Sequence, residues 1–108
     1  MPDEGNKREA HRALVDRILH GPGKTSPEER ARAFNNADIP PPLQPLICKV
    51  ATSPTQVTDG DFDAAKAAGF SEDQLFELVI SAAVGQSTRL YEAGLAALTE
   101  ATSDGTGD

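Results

Sequence analysis

Apolar residues in this chain recur at helical spacing in short blocks, each bounded by a polar start or by a glycine or proline stop. Over Asn6–His20, Ala10, Leu14 and Ile18 recur at every fourth position with Ala13 and Leu19 beside them. Lys7, Arg8, Arg12 and Asp16 fall mostly elsewhere on the wheel, which predicts an amphipathic helix. Gly21-Pro22-Gly23 ends it. Ser26-Pro27-Glu28-Glu29 is a second start: Ser26 caps, Pro27 suits the first helical position, and Glu29 completes a capping box. That helix is short and weakly apolar (Ala31, Ala33, Phe34) and stops near Asn35-Asn36. Pro40-Pro41-Pro42 then holds the preceding residues out of a helix. Leu43, Leu46, Ile47 and Val50 make a third stripe, with Pro45 confined to its first turn and Thr52-Ser53-Pro54 closing it.

The segment Val57–Leu98 carries the strongest signals. Thr58 caps a fourth helix whose first turn holds Asp59 and Asp61, where the helix dipole favours acids. Phe62, Ala65 and Ala68 form its expected inner face, and Gly69 supplies a left-handed stop. Ser71 and Gln74 make another capping box, and Phe70 is placed to pack on Leu75 as a hydrophobic staple. The last helix is expected to reach about Thr99 on a broad inner stripe of Leu75, Leu78, Val79, Ala82, Ala83, Leu90, Ala93 and Ala97. Gly85 and Gly94 within it mark close helix contacts or a break. The expected fold is all-α: a small bundle of about five helices in a single domain over residues 6–100, with polar, disordered tails at 1–5 and 101–108.

Composition agrees with helices. The chain has no Trp, one Tyr and four Phe, and its apolar share is mostly Ala and Leu. A 108-residue chain buries a modest core and often leans on partner subunits, so a homo-oligomer or a hetero-oligomer is expected. The formal charge of −7 is uneven: residues 1–54 carry eight Lys/Arg and seven Asp/Glu, residues 55–108 two and ten. An acidic C-terminal half argues against nucleic acid or an anionic membrane surface as partner. No apolar run approaches a membrane span, and none at the N-terminus resembles a secretory leader. A single cysteine excludes an internal disulfide, a CxxC pair and a multi-cysteine zinc site, and fits a reducing cytoplasm.

Candidate chemistry is sparse. Gly21-Pro22-Gly23-Lys24-Thr25 ends like a phosphate-binding loop, but Ile18 stands where the first glycine belongs, and a charged helix replaces the preceding strand. A helix-terminating turn accounts for it. Cys48 sits on or beside an apolar stripe, where an inert thiol is the default, though Lys49 beside it could lower its pKa. His11 and His20 are nine residues apart, two and a half turns, and cannot chelate a metal together. His20 suits a helix C-terminus. Neither a metal nor a cofactor is expected. On the last helix, Gln86, Arg89 and Tyr91 are the candidates to touch a small ligand, and Arg89 can pair with Glu92 within one turn. Gly85, Ala93, Gly94 and Ala97 would allow close approach of another helix.

The run Ala64-Ala65-Lys66-Ala67-Ala68-Gly69-Phe70-Ser71-Glu72-Asp73-Gln74-Leu75-Phe76-Glu77-Leu78, followed by Ser81-Ala82-Ala83-Val84-Gly85, resembles the alkylhydroperoxidase D-like family, which includes the carboxymuconolactone decarboxylases. The likeness covers residues 57–98. It implies a helical subunit that assembles into trimers or larger rings. The peroxidase branch of that family places a CxxC about three turns upstream of the glycine and a His four residues beyond the second Cys; anchored on Gly69, those positions fall near Pro54, Val57 and Asp61. None of these supplies a thiol or an imidazole, and the decarboxylase His position is likewise Asp61. The expectation is therefore a non-catalytic subunit for assembly or partner binding. The alternative is a small-molecule-binding protein or degenerate enzyme with a pocket near Cys48, Asp61 and Arg89, in which Cys48 and Asp61 are the catalytic candidates.

Overall fold

The computed structural model describes the backbone of residues 2–106 and the side chains of residues 8–101. Within them the chain is all-helical: α1 (Pro2–His20), α2 (Pro27–Asn35), α3 (Gln44–Thr52), α4 (Asp59–Ala67) and α5 (Glu72–Thr106), with 3₁₀ turns at Pro41–Leu43 and Pro54–Gln56. No strand occurs among the described residues.

The local signals act as their chemistry requires. Ser26 Oγ accepts the Glu29 amide at 3.1 Å while Glu29 Oε1 accepts the Ser26 amide at 3.0 Å. Ser71 and Gln74 form the same reciprocal pair at 2.9 and 3.1 Å. At Thr58 the box is closed by an aspartate, since Asp61 Oδ2 accepts the Thr58 amide at 2.9 Å. Helix α2 ends on Asn36 in the left-handed region (φ 51°), and α4 is followed by Gly69 at φ +107°.

Helix α5 is the axis on which α2 and α3 lie. The core cluster is Ala33, Leu43, Leu46, Ile47, Val50, Ala65, Leu75, Leu78 and Ala82, with Phe62, Phe70 and Val79 packed against it. All of it comes from residues 33–82. Helix α1 adds nothing to this cluster. It runs antiparallel to α5, its Ile18 end beside Phe76 and Ile80 and its Arg8 end beside Leu95.

Several expected faces shift. On α1, Ala10, Ala13 and Leu14 are exposed, and the half-buried residues are His11, Val15, Ile18 and Leu19. The helix is turned by about one residue because it docks through His11, whose Nε2 lies 2.9 Å from Thr88 Oγ1. Ala68 is exposed because it caps α4 rather than lying within it. Helix α5 runs unbroken through both glycines, and Ala83, Leu90, Ala93 and Ala97 are exposed, not inner. The helix bounds also reach into both segments expected as tails, at residues 2–5 and 101–106, while residues 1, 107 and 108 lie outside the described part. At 1.5 Å per residue, α5 beyond Ala82 extends about 36 Å past the core. The molecule is accordingly elongated, 59 × 28 × 21 Å.

Candidate functional site

The loop Gly21–Thr25 does build an anion-binding hollow, and the chain fills it with its own carboxylate. Glu77 of α5 accepts the Lys24 amide at 2.6 Å, the Thr25 amide at 2.8 Å and the Thr25 hydroxyl at 2.7 Å. A Cβ at Gly23 would stand 2.7 Å from Glu77 Oε1, so the glycine is what lets the carboxylate enter. Burial pushes the Glu77 carboxyl up, but the hydrogen bonds from Lys24 and Thr25, helped by the Arg30 charge, outweigh it and hold Glu77 below the usual range. Arg30 is only 5% exposed, and its Nη1 donates to the carbonyls of Ile18 (2.9 Å) and Gly21 (2.7 Å), satisfying the end of α1. This cluster ties α1, α2 and α5 together and leaves the loop no open cradle for a nucleotide phosphate.

The residues of the expected pocket are each engaged separately or unbonded. Asp61 is buried at the start of α4 and pairs with Lys49 of α3 at 3.0 Å. The Thr58 amide first, then the Lys49 ammonium, holds its carboxyl below the ordinary value. Cys48 is half-buried with a free thiol. Arg89 instead serves α2: its Nη1 donates to the Phe34 carbonyl at 2.6 Å and its Nη2 to Gln86 Oε1 at 3.2 Å. The expected Arg89–Glu92 pair does not form, because the guanidinium is held by the α2 terminus. No hydrogen bond links Cys48, Asp61 and Arg89, and no group of three or more His, Cys, Asp or Glu suited to a metal occurs among the described residues.

Of the three proposed ligand contacts, Tyr91 alone lines the cleft between α1 and α5. This cleft measures about 300 Å³ and is bordered by Arg8, His11, Arg12, Val15, Thr88 and Tyr91, among others. The His11 and Tyr91 rings stand 5.6 Å apart. Thr88 spends its hydroxyl hydrogen on the Val84 carbonyl at 2.8 Å, so its oxygen accepts from His11 and places a hydrogen on Nε2. The Ala10, Leu14, Ile18 stripe gives no sign of this cleft; the His11, Val15, Ile18 spacing is the signal that does.

The four expected interface residues divide. Gly85 is buried and its close contact is inside the subunit, against the Phe34 backbone. Ala93, Gly94 and Ala97 are exposed, on the side of α5 turned away from α1, and Leu90 (63% exposed) and Leu98 (64%) flank them. These two large, open apolar side chains lie about two turns apart on the arm, the part of α5 beyond Gly85 with α1 docked along it.

No family model, no curated protein and no solved structure matches the chain. Its class therefore rests on the fold described above, an all-α helical bundle with one helix extended well past its core. No helix among the described residues is long and apolar enough to cross a membrane.

Proposed function

We propose that the chain is a non-catalytic helical subunit, alkylhydroperoxidase D-like over residues 57–98, that acts by assembling with a protein partner through the outer face of α5. The observation that carries this reading is the extension itself: past Gly85, α5 has no buried side chain among the described residues, yet it continues with Leu90 and Leu98 facing outward. Helix α1 covers one side of this extension, at Thr88, Tyr91 and Leu95, and leaves the side with Leu90 and Leu98 open. The polar residues support the same reading. Asp61, Glu77, Arg30 and Arg89 are each engaged in holding helix ends or loops, and chemistry would need them released.

The test is a comparison of native complexes. The tagged chain and a Leu90→Glu/Leu98→Glu variant would be isolated gently from the source cells and weighed intact by native mass spectrometry. The wild type is expected in a complex of fixed stoichiometry. The variant is expected as a single chain with an unchanged helical circular-dichroism spectrum, since both leucines are exposed and their loss leaves the core intact. A variant that keeps the wild-type complex, or a wild type that is always monomeric, overturns the proposal.

A further inference from the structure

Arg30 holds the end of α1 with one corner of its guanidinium only. Nη1 donates to both the Ile18 and the Gly21 carbonyl. Nε is buried and has no hydrogen-bond partner among the described residues, and Nη2 makes no hydrogen bond among them either. Nε and the adjacent Nη2 form the edge whose two parallel N–H bonds match the oxygens of a carboxylate. Leaving that edge unspent on a side chain only 5% exposed costs stability, so it needs a reason.

The carboxylate at hand is already committed. The Arg30 charge acts on Glu77, yet the two form no ion pair. Glu77 Oε2 accepts from the Lys24 amide, and Oε1 from the Thr25 amide and hydroxyl. The described residues therefore offer the Nε–Nη2 edge no acceptor.

Arg30 lines a cavity of about 170 Å³ between α1, α5 and the Gly21–Thr25 loop. Arg17 adds a second guanidinium to the wall, and Ile18, Pro22, Phe76 and Ile80 make up its apolar part. Phe76 is 67% exposed, an unusual setting for a phenyl ring that nothing else in the fold explains. Apolar walls around a few fixed polar groups are the usual make-up of a small-molecule site. A cavity of about 150 Å³ takes a benzene ring, so this space suits one ring or a short branched chain. Two guanidiniums against the single carboxylate of Glu77 leave one positive charge over, which favours a monoanion.

We propose that this cavity binds a small monocarboxylate with an aromatic or branched apolar body. Its carboxylate sits on the Nε–Nη2 edge of Arg30, with Arg17 beside it and the apolar body against Phe76 and Ile80. The site goes beyond the assembly role and does not depend on it, since it lies at the Ile18 end of α1, away from Leu90 and Leu98.

Sodium benzoate would be titrated into the ¹⁵N-labelled full chain and followed through the Arg30 Nε–H resonance. That resonance is expected to move saturably, with a dissociation constant of about 1 mM or below. Benzamide has the shape without the charge, and chloride and inorganic phosphate have charge without an apolar body. All three are expected to leave the resonance in place at matched ionic strength. Arg17→Gln is expected to weaken benzoate binding by about threefold, and Phe76→Ala by about fivefold. Both residues are exposed, so the urea midpoints of these variants should stay at the wild-type value. A resonance unmoved by benzoate, one moved equally by benzamide or an inorganic anion, or an affinity unchanged in either variant overturns the proposal.

Discussion

Replacing Gly85 by alanine is expected to cost the fold about 3 kcal/mol, against a total of about 5–15 kcal/mol for a domain of ordinary stability. The reason is the approach of α5 to the end of α2. A Cβ built at Gly85 would stand 2.7 Å from the Phe34 carbonyl carbon and 2.9 Å from its Cα, and would overlap the carbonyl oxygen. These are backbone atoms and cannot swing aside as a side chain would. Helix α2 would have to lift, drawing Ala33 out of the core and breaking the 2.6 Å hydrogen bond from Arg89 to Phe34. The better helix propensity of alanine returns at most about 1 kcal/mol. The same change at Gly94 should therefore have the opposite sign within a single subunit, because nothing stands in the way there. Urea unfolding midpoints of the two variants measure this. A Gly85→Ala protein as stable as the wild type would mean that α2 and α5 do not meet as described.

Glu77→Gln is expected to lower stability by about 2 kcal/mol at neutral pH. The amide keeps the shape of the carboxylate but turns one acceptor oxygen into a donor. One side of the loop, either the Lys24 amide or the Thr25 pair, then faces a donor and loses its bond. The charge contributes a pH dependence of definite sign. The folded protein holds Glu77 below its ordinary value of 4.5, so the unfolded chain takes up the proton first. The stabilisation is complete above that value and is lost as pH falls through the folded one. Asp61 and Glu72 are lowered as well and act in the same direction. Stability is thus expected to hold from neutrality to about pH 4.5 and to fall below it, with a shallower fall in Glu77→Gln. Unfolding midpoints measured across that range decide the point; identical acid slopes for the two proteins would remove Glu77 from the account.

What could be read from sequence was local. The boxes at Ser26 and Ser71 and the stop at Gly69 each depend on residues a few positions apart, and each forms as expected. Asp61 was legible as a first-turn acid, and its pairing with Lys49 was not, because that pair joins two helices. Glu77 was unreadable for the same reason on a larger scale: its partners lie 52 and 53 residues away. The phase of α1 was missed by about one residue, since alanines and leucines fall on two overlapping faces and the contact that selects between them, His11 to Thr88, is polar. On α5 the expected stripe is inner at Leu75, Leu78, Val79 and Ala82 and exposed at Ala83, Leu90, Ala93 and Ala97, because its period carries no information about whether another helix of the same chain reaches it. Ala93 and Ala97 fit an inner stripe by spacing alone, yet both are exposed in the subunit.

The tilted ring pair His11–Tyr91 gives the molecule a built-in optical reporter. Tyr91 is the single tyrosine of a chain without tryptophan, so no stronger fluorophore collects its excitation or masks its emission. Its ring stands 5.6 Å from an imidazole on the other helix of the arm, and the core cluster lies elsewhere, within residues 33–82. Tyrosine emission therefore follows the docking of α1 on α5, while far-ultraviolet ellipticity follows the helices as a whole. Opening of the arm and unfolding of the bundle can be watched as separate events in one unlabelled sample.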